Sequence, residues 1–205
     1  MTPSIDTSRY IAFEGVEGAG KSSVSSGVAA ALSDAGHDVA LVREPGGTAA
    51  GEAIRSVLLD GDVDPGPWSE AALFAAARAE LVSKRVVPAL ERGSWVLSDR
   101  SAYSSLAYQA GGRGLPLDKV RTLNDIAIGG VWPGRVVLLR LDASDGLARQ
   151  AVGDRIGDEG DQFHRSVARA FDDLADAEPD RFVVVDASQP LTDVVDQVLT
   201  VLGVT

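Results

Sequence analysis

One stretch of the sequence has the residue types and spacing of a site that binds a nucleoside triphosphate. Residues 15–22 read GVEGAGKS, which matches the pattern G-x-x-x-x-G-K-[ST]. Glycines let the backbone fold so that successive N–H groups point at phosphate oxygens, and the amino end of a following helix adds to the attraction. Lys21 would reach the β- and γ-phosphates, and the Ser22 hydroxyl would bind Mg²⁺. The residues predicted to bind the nucleoside triphosphate are Gly15, Val16, Glu17, Gly18, Ala19, Gly20, Lys21 and Ser22.

Other charged residues follow short apolar runs elsewhere in the chain. Asp99 and Arg100 come soon after the run Trp95–Leu97, and Arg43 follows Val39–Val42 and opens the turn-forming stretch REPGGT. Because groups at the carboxyl ends of parallel strands meet at one crevice, we expect Asp99 to act near Mg²⁺ and Arg100 to contact phosphate. A structural ion pair between Asp99 and Arg100, and an ordinary surface charge at Arg43, are open alternatives at this stage.

The elements that must position these residues follow from the hydrophobic pattern. Short runs rich in Val, Ile and Leu, without polar alternation, predict strands buried on both faces of a parallel sheet. Longer segments with helical spacing lie between them, which predicts an α/β domain of three layers. The predicted strands are Tyr10–Phe13, Val39–Val42, Trp95–Leu97, Val136–Leu141 and Phe182–Val185. The predicted helices are Ser22–Ala35, Ala49–Leu59, Ser69–Arg92, Leu117–Ile128 and Leu191–Leu202.

Length and composition indicate one soluble domain over residues 1–205. A chain of 205 residues, 45% hydrophobic and 24% charged, can bury a core on its own. A net charge of -11 argues against the broad basic face that a nucleic-acid partner requires. The absence of cysteine excludes disulfides and thiolate chemistry, and two histidines disfavour a multi-histidine metal site. No apolar run reaches ~20 residues and we expect no signal peptide, so we expect no membrane partner and a cytoplasmic location.

One acidic, glycine-rich segment does not fit the alternation of strands and helices. Residues Gly153–Asp161 (GDRIGDEGD) contain three glycines, four carboxylates and one arginine, and cannot build a core. The segment is either a solvated loop or a mobile lid over an active site. We place the expected lid at about residues 149–161.

Five motifs, in order along the chain, resemble those of bacterial thymidylate kinases. They are EGVEGAGKS, REPGGT, LFAAARAE, DRSAYSSLAYQ and DRIGDEGDQFH, and they extend from Glu14 to His164. The resemblance implies the P-loop nucleoside-monophosphate kinase fold, with a five-stranded parallel sheet flanked by helices and a short lid. It also implies transfer of the γ-phosphoryl group of ATP to dTMP in dTTP synthesis, a requirement for Mg²⁺, and a homodimer.

The same resemblance assigns residues to the thymine base. Phe74 would stack on the base and Arg78 would donate a hydrogen bond to it; the two residues are four apart and share one helix face. Ser105 and Gln109 have the same spacing and would bond to the edge of the base, with Ser104 supporting them. Plain core packing is the alternative for Phe74.

Sugar and phosphate contacts follow from the resemblance as well. Glu17 matches an acidic residue that contacts the deoxyribose 3′-hydroxyl, and Tyr108 matches a tyrosine that crowds the 2′ position and favours deoxyribose. Arg55 and Arg100 match arginines that hold the dTMP phosphate, with Arg43 as a third candidate.

In the lid, Arg155 matches an arginine that would reach over the ATP phosphates, with Arg149 as a companion. The chain departs from the family pattern at two positions. Ser101 stands where Tyr or His often follows Asp-Arg, and Gly134 follows Pro133 where Asp is common. The first departure leaves the packing around Arg100 undetermined by the sequence.

No general base is required for this reaction, because the second pKa of a phosphate monoester is about 6 and the acceptor is already a dianion at neutral pH. Catalysis then rests on positioning and charge neutralisation. The predicted catalytic residues are Lys21, Asp99, Arg100 and Arg155, with Ser22 and Asp99 at the metal. Alternatives are another P-loop deoxynucleoside or nucleoside-monophosphate kinase, and a nucleotide-dependent switch that hydrolyses ATP slowly.

Overall fold

A parallel sheet of five strands forms the centre of the protein, seen in a computed structural model that describes residues 5–142, 145–146, 149, 155–157 and 159–204. The strand order is β2-β3-β1-β4-β5. The register pairs Asp99 with Phe13 on one side and with Arg43 on the other, so three strands end together. The strands are β1 (Tyr10–Glu14), β2 (Val39–Arg43), β3 (Trp95–Asp99), β4 (Arg135–Arg140) and β5 (Phe182–Asp186).

Helices connect the strands and cover both faces of the sheet. Helix boundaries follow local chemistry: the Thr48 hydroxyl accepts a hydrogen bond from Gly51 N at 3.0 Å, and Gly129 closes a helix in the left-handed conformation. Two π-helical segments, Val82–Val86 and Leu106–Gly112, continue α3 and α5. The helices are α1 (Lys21–Asp34), α2 (Ala49–Leu59), α3 (Pro67–Leu81), α4 (Val87–Glu91), α5 (Ala102–Ser105), α6 (Leu117–Ile128), α7 (Asp161–Ala177) and α8 (Leu191–Leu202).

Successive residues of β1 point to opposite faces of the sheet, as strand geometry requires. Ile11 and Phe13 pack in the core formed with α1 and α8. Tyr10 and Ala12 pack on the other face, in two cores formed with α3 to α7 and the π-helical segments. The predicted three-layer arrangement is therefore confirmed.

The predicted strands match the observed ones within two residues at each end. Four of them extend one or two residues further, to include the charged residue that ends each strand. The outer strands β2 and β5 are only partly buried, because each is paired on one side alone. The expected burial on both faces therefore holds for β1, β3 and β4.

Two parts of the helical prediction differ from the structure. The predicted helix Ser69–Arg92 is observed as α3, a π-helical turn and α4. Helices α5 and α7 were not predicted, although Phe163, Val167 and Phe171 recur at the spacing of a buried helix face. Within the described residues no helix is long and apolar enough to span a membrane.

Candidate active site

A cavity of about 340 Å³ opens at the carboxyl ends of β1, β2 and β3. Parallel sheets bind ligands at this edge. The structure brings most of the predicted site residues into its lining, together with Glu44, Pro45, Leu59 and Ile156, which sequence reasoning missed. The predicted residues that line it are Glu17, Gly18, Lys21, Ser22, Arg43, Arg55, Phe74, Asp99, Arg100, Ser104, Ser105, Tyr108 and Gln109.

The loop between β1 and α1 has the backbone that a phosphate cradle requires. Gly15 and Gly18 have φ of 142° and 70°, which L side chains rarely adopt. A Cβ added to Gly15 would lie 2.6 Å from Leu139 O, and one added to Gly18 would lie 2.0 Å from Gly146 O. Glycine is therefore required at both positions by conformation and by space.

Lys21 begins α1 and is almost fully buried in this loop. Its Nζ donates to Val16 O at 2.7 Å and to Gly15 O at 3.1 Å. Burial, assisted by the nearby Arg100 charge, lowers the pKa of Lys21 to about 8, so the ammonium is still charged at pH 7. The side chain is thus a cation held by loop carbonyls beside the predicted phosphate site.

Ser22 and Asp99 meet although they are 77 residues apart in the chain, and the Ser22 hydroxyl donates to Asp99 Oδ2. One hydroxyl and one carboxylate fit Mg²⁺, which binds through one or two protein oxygens and keeps water and phosphate as its other ligands. A cage of three or more acidic, histidine or cysteine side chains does not occur in the part of the chain that the structure describes. The site is therefore suited to a metal that arrives with a nucleotide.

Arg100 has a left-handed backbone, with φ of 73°, which is uncommon for a residue with a side chain. Its N–H donates to Phe13 O at 3.0 Å, and the Ser98 hydroxyl donates to its carbonyl at 2.6 Å. These contacts hold the strained turn that follows β3. The guanidinium consequently lies 3.0 Å from Glu17 and 5.0 Å above the Tyr108 ring.

Glu17 is a carboxylate that faces the cavity and accepts several hydrogen bonds. The Tyr108 hydroxyl lies 2.7 and 2.8 Å from its two oxygens, and Arg100 donates to it at 3.0 Å. Burial raises the pKa of Glu17, but His164 and the charges of Arg100 and Lys21 outweigh burial and lower it well below its usual range. Glu17 is therefore a fixed anion among cations.

Ser101, the first departure from the family pattern, is explained by Glu14. This carboxylate at the end of β1 is fully buried and accepts from Ser101 N and Oγ, both at 2.7 Å, and from Ser104 Oγ at 2.6 Å. Burial raises the pKa of Glu14, and the serine hydrogen bonds act against that rise. Glu14 thus anchors the segment after Arg100. Its place at the end of an apolar strand was the available signal for it in the sequence.

Arg78 lies behind the cavity wall and is 2% exposed. Its Nε donates to Glu44 Oε2 at 2.6 Å, and its Nη1 donates to Ser105 Oγ at 3.0 Å and to Asn124. Ser105 lines the cavity and Arg78 does not, so the structure places Arg78 in contact with a predicted base-binding residue. Phe74, one turn earlier on α3, lines the cavity as expected.

Gln109 and Arg155 both bind Glu70, a buried acid on α3 that sequence reasoning missed. Gln109 Nε2 donates to Glu70 Oε1 at 2.9 Å, and Arg155 donates to Glu70 Oε2 at 2.7 Å and to Leu58 O at 2.9 Å. Arg113 joins the same carboxylate at 3.0 Å. The structure therefore holds Arg155 against α2 and α3, and not against the P-loop.

The remaining predicted arginines have protein partners in this conformation. Arg43 is half-exposed and pairs with Glu52 at 2.9 Å, and Arg55 donates to Pro45 O at 3.0 Å. Arg149 donates to Ala187 O at 3.1 Å. The expected lid at 149–161 lies partly outside the described residues, since 150–154 and 158 are not among them.

Glu70 is expected to stabilise the fold in a pH-dependent way. Burial raises its pKa, but the hydrogen bonds from Arg113, Arg155 and Gln109 outweigh burial and lower it. The pKa of Glu70 is lower in the folded protein than in the unfolded chain. Its stabilisation of the fold is therefore complete at pH values above the ordinary glutamate pKa, and it is lost as the pH falls through the lowered folded-state pKa. Glu70→Gln should cost about 1.5–3 kcal/mol of unfolding free energy at pH 7, measured by urea unfolding.

Unfolding measurements at acidic pH provide the control for that prediction. The difference in unfolding free energy between the wild-type protein and Glu70→Gln should become smaller as the pH falls below about 4.5. Glu91→Gln, at an exposed position of α4, should stay within about 0.5 kcal/mol of the wild-type protein at each pH. A free-energy difference that is constant from pH 7 to pH 3 would contradict the conclusion that Glu70 is ionised in the folded protein.

The P-loop follows the first strand of a five-stranded parallel sheet, and a serine–aspartate pair lies beside it. Arginines face a second half of the same cavity. This arrangement defines the class of P-loop nucleoside-monophosphate kinases. The family model described as thymidylate kinase matches residues 13–198. The chain belongs to the thymidylate kinase family. Enzymes of this family are ATP:dTMP phosphotransferases.

Individual relatives agree with the family model. A thymidylate kinase from Deinococcus radiodurans is 48% identical over 184 residues, which cover 88% of this chain and 89% of that protein. One from Bifidobacterium longum is 46% identical over 187 residues, covering 89% and 91%. The crystal structure of thymidylate kinase from Ehrlichia chaffeensis superposes with a TM-score of 0.81 at 30% identity, covering 97% of this chain and all of that one.

Proposed function

We propose that this chain transfers the γ-phosphoryl group of ATP to dTMP, giving dTDP and ADP. The observation that carries the proposal is the extent of the cavity. It continues from the P-loop residues Lys21 and Ser22 to the aromatic and amide side chains Phe74 and Gln109. A protein that only hydrolyses ATP needs the first half of such a cavity, whereas a kinase for a nucleoside monophosphate needs both.

The second half of the cavity suits a pyrimidine deoxynucleotide. Phe74 offers a ring face for stacking, and Ser105 offers a hydroxyl to the edge of the base. Since Gln109 Nε2 donates to Glu70, we assign its carbonyl oxygen to the N3–H of thymine. Tyr108 and Glu17, bonded to each other, would face the sugar, with the ring against the 2′ position and the carboxylate accepting from the 3′-hydroxyl.

Phosphoryl transfer would then proceed by direct displacement. An oxygen of the dTMP phosphate forms a bond to the γ-phosphorus while the bond to the β–γ bridging oxygen of ATP breaks, and ADP leaves with that electron pair. Arg55 and Arg100 would hold the acceptor phosphate. Arg43 would join them once its ion pair with Glu52 breaks. Lys21 would hold the β- and γ-phosphates, and Arg155 would reach them only after leaving Glu70.

Mg²⁺ bound by Ser22 and Asp99 would neutralise charge on the phosphates of ATP. Asp99→Asn is therefore expected to raise the Mg²⁺ concentration for half-maximal velocity at least tenfold, because an amide oxygen lacks the carboxylate charge. The measurement is velocity against free Mg²⁺ at saturating ATP and dTMP. Asp172→Asn, at an exposed ion pair on α7, is the matched control and should leave the Mg²⁺ dependence unchanged. An unchanged dependence in Asp99→Asn would remove Asp99 from the metal site.

The proposed function is tested by an ADP-release assay with ATP and Mg²⁺ and one acceptor at a time: dTMP, dUMP, thymidine, dGMP or AMP. Turnover with dTMP should exceed turnover with every other acceptor. Turnover with thymidine alone would make the protein a deoxynucleoside kinase and would contradict the roles of Arg55 and Arg100. Slow ATP loss without any acceptor would favour a nucleotide-dependent switch.

The resemblance to thymidylate kinases also supports a homodimer, and we propose one acting in the cytoplasm, where both charged nucleotides are found. The neighbouring helices α3 and α6 carry exposed large apolar side chains, namely Trp68, Leu117 and Ile126. Such side chains favour association with a partner surface. Light scattering should give a mass about twice that of the 21.3 kDa chain.

A further inference from the structure

His164, on the first turn of α7, is one of the most deeply buried polar side chains in the described part of the chain, at 1% exposed. Its imidazole lies between Glu17, which lines the cavity, and Gly157, which follows the cavity-lining residue Ile156. Nδ1 is 3.6 Å from Glu17 Oε2, an ion-pair distance, and Nε2 is 3.2 Å from Gly157 O, a hydrogen-bond distance. The reaction described above uses no histidine, so this placement needs its own explanation.

The partners decide the protonation of the ring. A backbone carbonyl only accepts, so Nε2 carries a proton toward Gly157. Nδ1 then faces a carboxylate, which favours a proton on that nitrogen also. In agreement, the contact with Glu17 raises the pKa of His164, although burial acts in the opposite direction. The imidazolium is therefore the form that satisfies both partners.

Both partners of His164 are part of the cavity lining or next to it in the chain. Glu17 lines the cavity, and so does Ile156, the residue before Gly157. Glu17 is already held by Tyr108 and Arg100, on the side of β3 and the π-helical segment that follows α5. His164 reaches the same carboxylate from α7, and it fixes the backbone of the segment Arg155–Gly157 at the same time.

We propose that His164 is a positioning residue that fixes Glu17 and the segment Arg155–Gly157 relative to each other around the acceptor nucleotide. The inference rests on the proposed function, since Glu17 is assigned there to the acceptor sugar. His164 acts through Glu17 and Ile156 and itself does not line the cavity. Its loss should therefore weaken acceptor binding more than ATP binding.

Other charged groups around His164 define the pH range of the effect. Glu17 faces it from the P-loop, the charges of Arg100 and Lys21 and the Tyr108 hydroxyl act on Glu17, and Glu159 contributes a backbone hydrogen bond to the imidazole. As pH rises through the raised pKa of His164, the contact with Glu17 loses its charge and the dTMP KM should increase. Lys21 titrates in every variant, so the difference between wild-type and variant profiles isolates the histidine.

Three substitutions separate the two contacts. His164→Phe fills the space and removes both, and it should raise the dTMP KM about tenfold with the ATP KM within about twofold. Asn places its amide nitrogen near the position of Nδ1, so His164→Asn should recover much of the loss through Glu17. Gln places its amide nitrogen near Nε2, so His164→Gln should keep only the contact with Gly157 and recover less.

The matched control is His37→Phe, at the other histidine of the chain, which is exposed beside Trp95. It should leave both KM values unchanged. A dTMP KM within twofold of wild type in His164→Phe would overturn the inference, and so would equal increases for dTMP and ATP. Thermal midpoints of all variants identify any loss through unfolding, and His164→Asn retains a testable contact if the phenylalanine does not pack.

A measurement without substrate separates failure of this inference from failure of the proposed function. The chain has two histidines, so proton NMR shows two sets of imidazole resonances, and His37→Phe identifies those of His164. The midpoint of His164 should lie above its ordinary value in the wild-type protein and fall toward it in Glu17→Gln. Equal midpoints in the two proteins would overturn the inference, whatever reaction the enzyme catalyses.

Discussion

Lys21→Ala is expected to lower kcat/KM at least a hundredfold, which corresponds to about 2.7 kcal/mol of transition-state stabilisation. Lys21 is the cation of the P-loop, it is 7% exposed, and its present partners are two loop carbonyls that a phosphate can replace. Charge neutralisation is the main contribution that a protein makes to phosphoryl transfer. The measurement is steady-state kinetics with ATP, Mg²⁺ and dTMP.

The control for this prediction is Lys84→Ala, which removes a lysine that is 60% exposed and pairs with Glu80. It should change kcat/KM by less than twofold. Thermal midpoints of both variants should be close to that of the wild-type protein, because the hydrogen bonds of Lys21 to described residues are to loop carbonyls and not to a buried carboxylate. Near wild-type turnover in Lys21→Ala would remove this residue from the active site.

Arg78→Ala is expected to reduce the unfolding free energy by about 3–5 kcal/mol, the usual cost of breaking a buried ion pair. The substitution leaves Glu44 buried without its cation, and Glu44 Oε1 already has no hydrogen-bond partner among the described residues. It also removes the donor to Ser105, so the dTMP KM should rise far more than the ATP KM. Urea unfolding and steady-state kinetics measure the two effects separately.

Arg165→Ala is the matched control for stability, because Arg165 is exposed and pairs with an exposed Asp161 at 3.7 Å. It should change the unfolding free energy by no more than about 0.5 kcal/mol. Burial raises the pKa of Glu44 to about 7 even beside Arg78, so the acid is protonated at pH 7 once the arginine is gone; adding Glu44→Gln to Arg78→Ala should therefore change the unfolding free energy by less than about 1 kcal/mol. A loss below 1 kcal/mol in Arg78→Ala would contradict the buried pair, and equal increases in both KM values would place its effect outside the acceptor site.

The phosphate half of the site was predictable from sequence because its residues are contiguous. Eight neighbouring residues form the P-loop, and Asp99, Arg100 and Arg43 follow strands that the hydrophobic pattern locates. Strand ends in a parallel sheet converge on one edge, so the order of elements was sufficient to bring these groups together. The spacing of Phe74 and Arg78 likewise placed both on one helix, where the structure has them.

The parts that the sequence did not predict depend on tertiary pairing. Glu70 meets Arg155 across 85 residues, and Glu14 meets Ser101 across 87, with no local pattern that links either pair. Arg155 illustrates the consequence: as a lid residue it was expected at the ATP phosphates, whereas a buried acid on α3 holds it in this conformation. Helix α7 was missed for another reason, since its apolar spacing begins directly after a glycine-rich acidic segment.

The charge distribution of the molecule suits its substrates despite the net charge of -11. The cavity collects Lys21, Arg43, Arg55 and Arg100 at one edge of an acidic protein. Glu17, whose pKa is lowered by His164, Arg100 and Lys21 against the effect of burial, is an anion beside this group, and Asp99 lines the same cavity. A local cation cluster of this kind attracts small phosphorylated ligands.

Phosphoryl transfer from ATP to dTMP is tested most directly with ATP labelled at the γ-phosphate, using dTMP as the acceptor in the presence of Mg²⁺. We expect the label to appear in dTDP, in amounts equal to the ADP formed, and we expect Lys21→Ala to lower the rate at least a hundredfold. Release of the label as inorganic phosphate, with dTMP unchanged, would contradict the assignment of this cavity to phosphoryl transfer between two nucleotides.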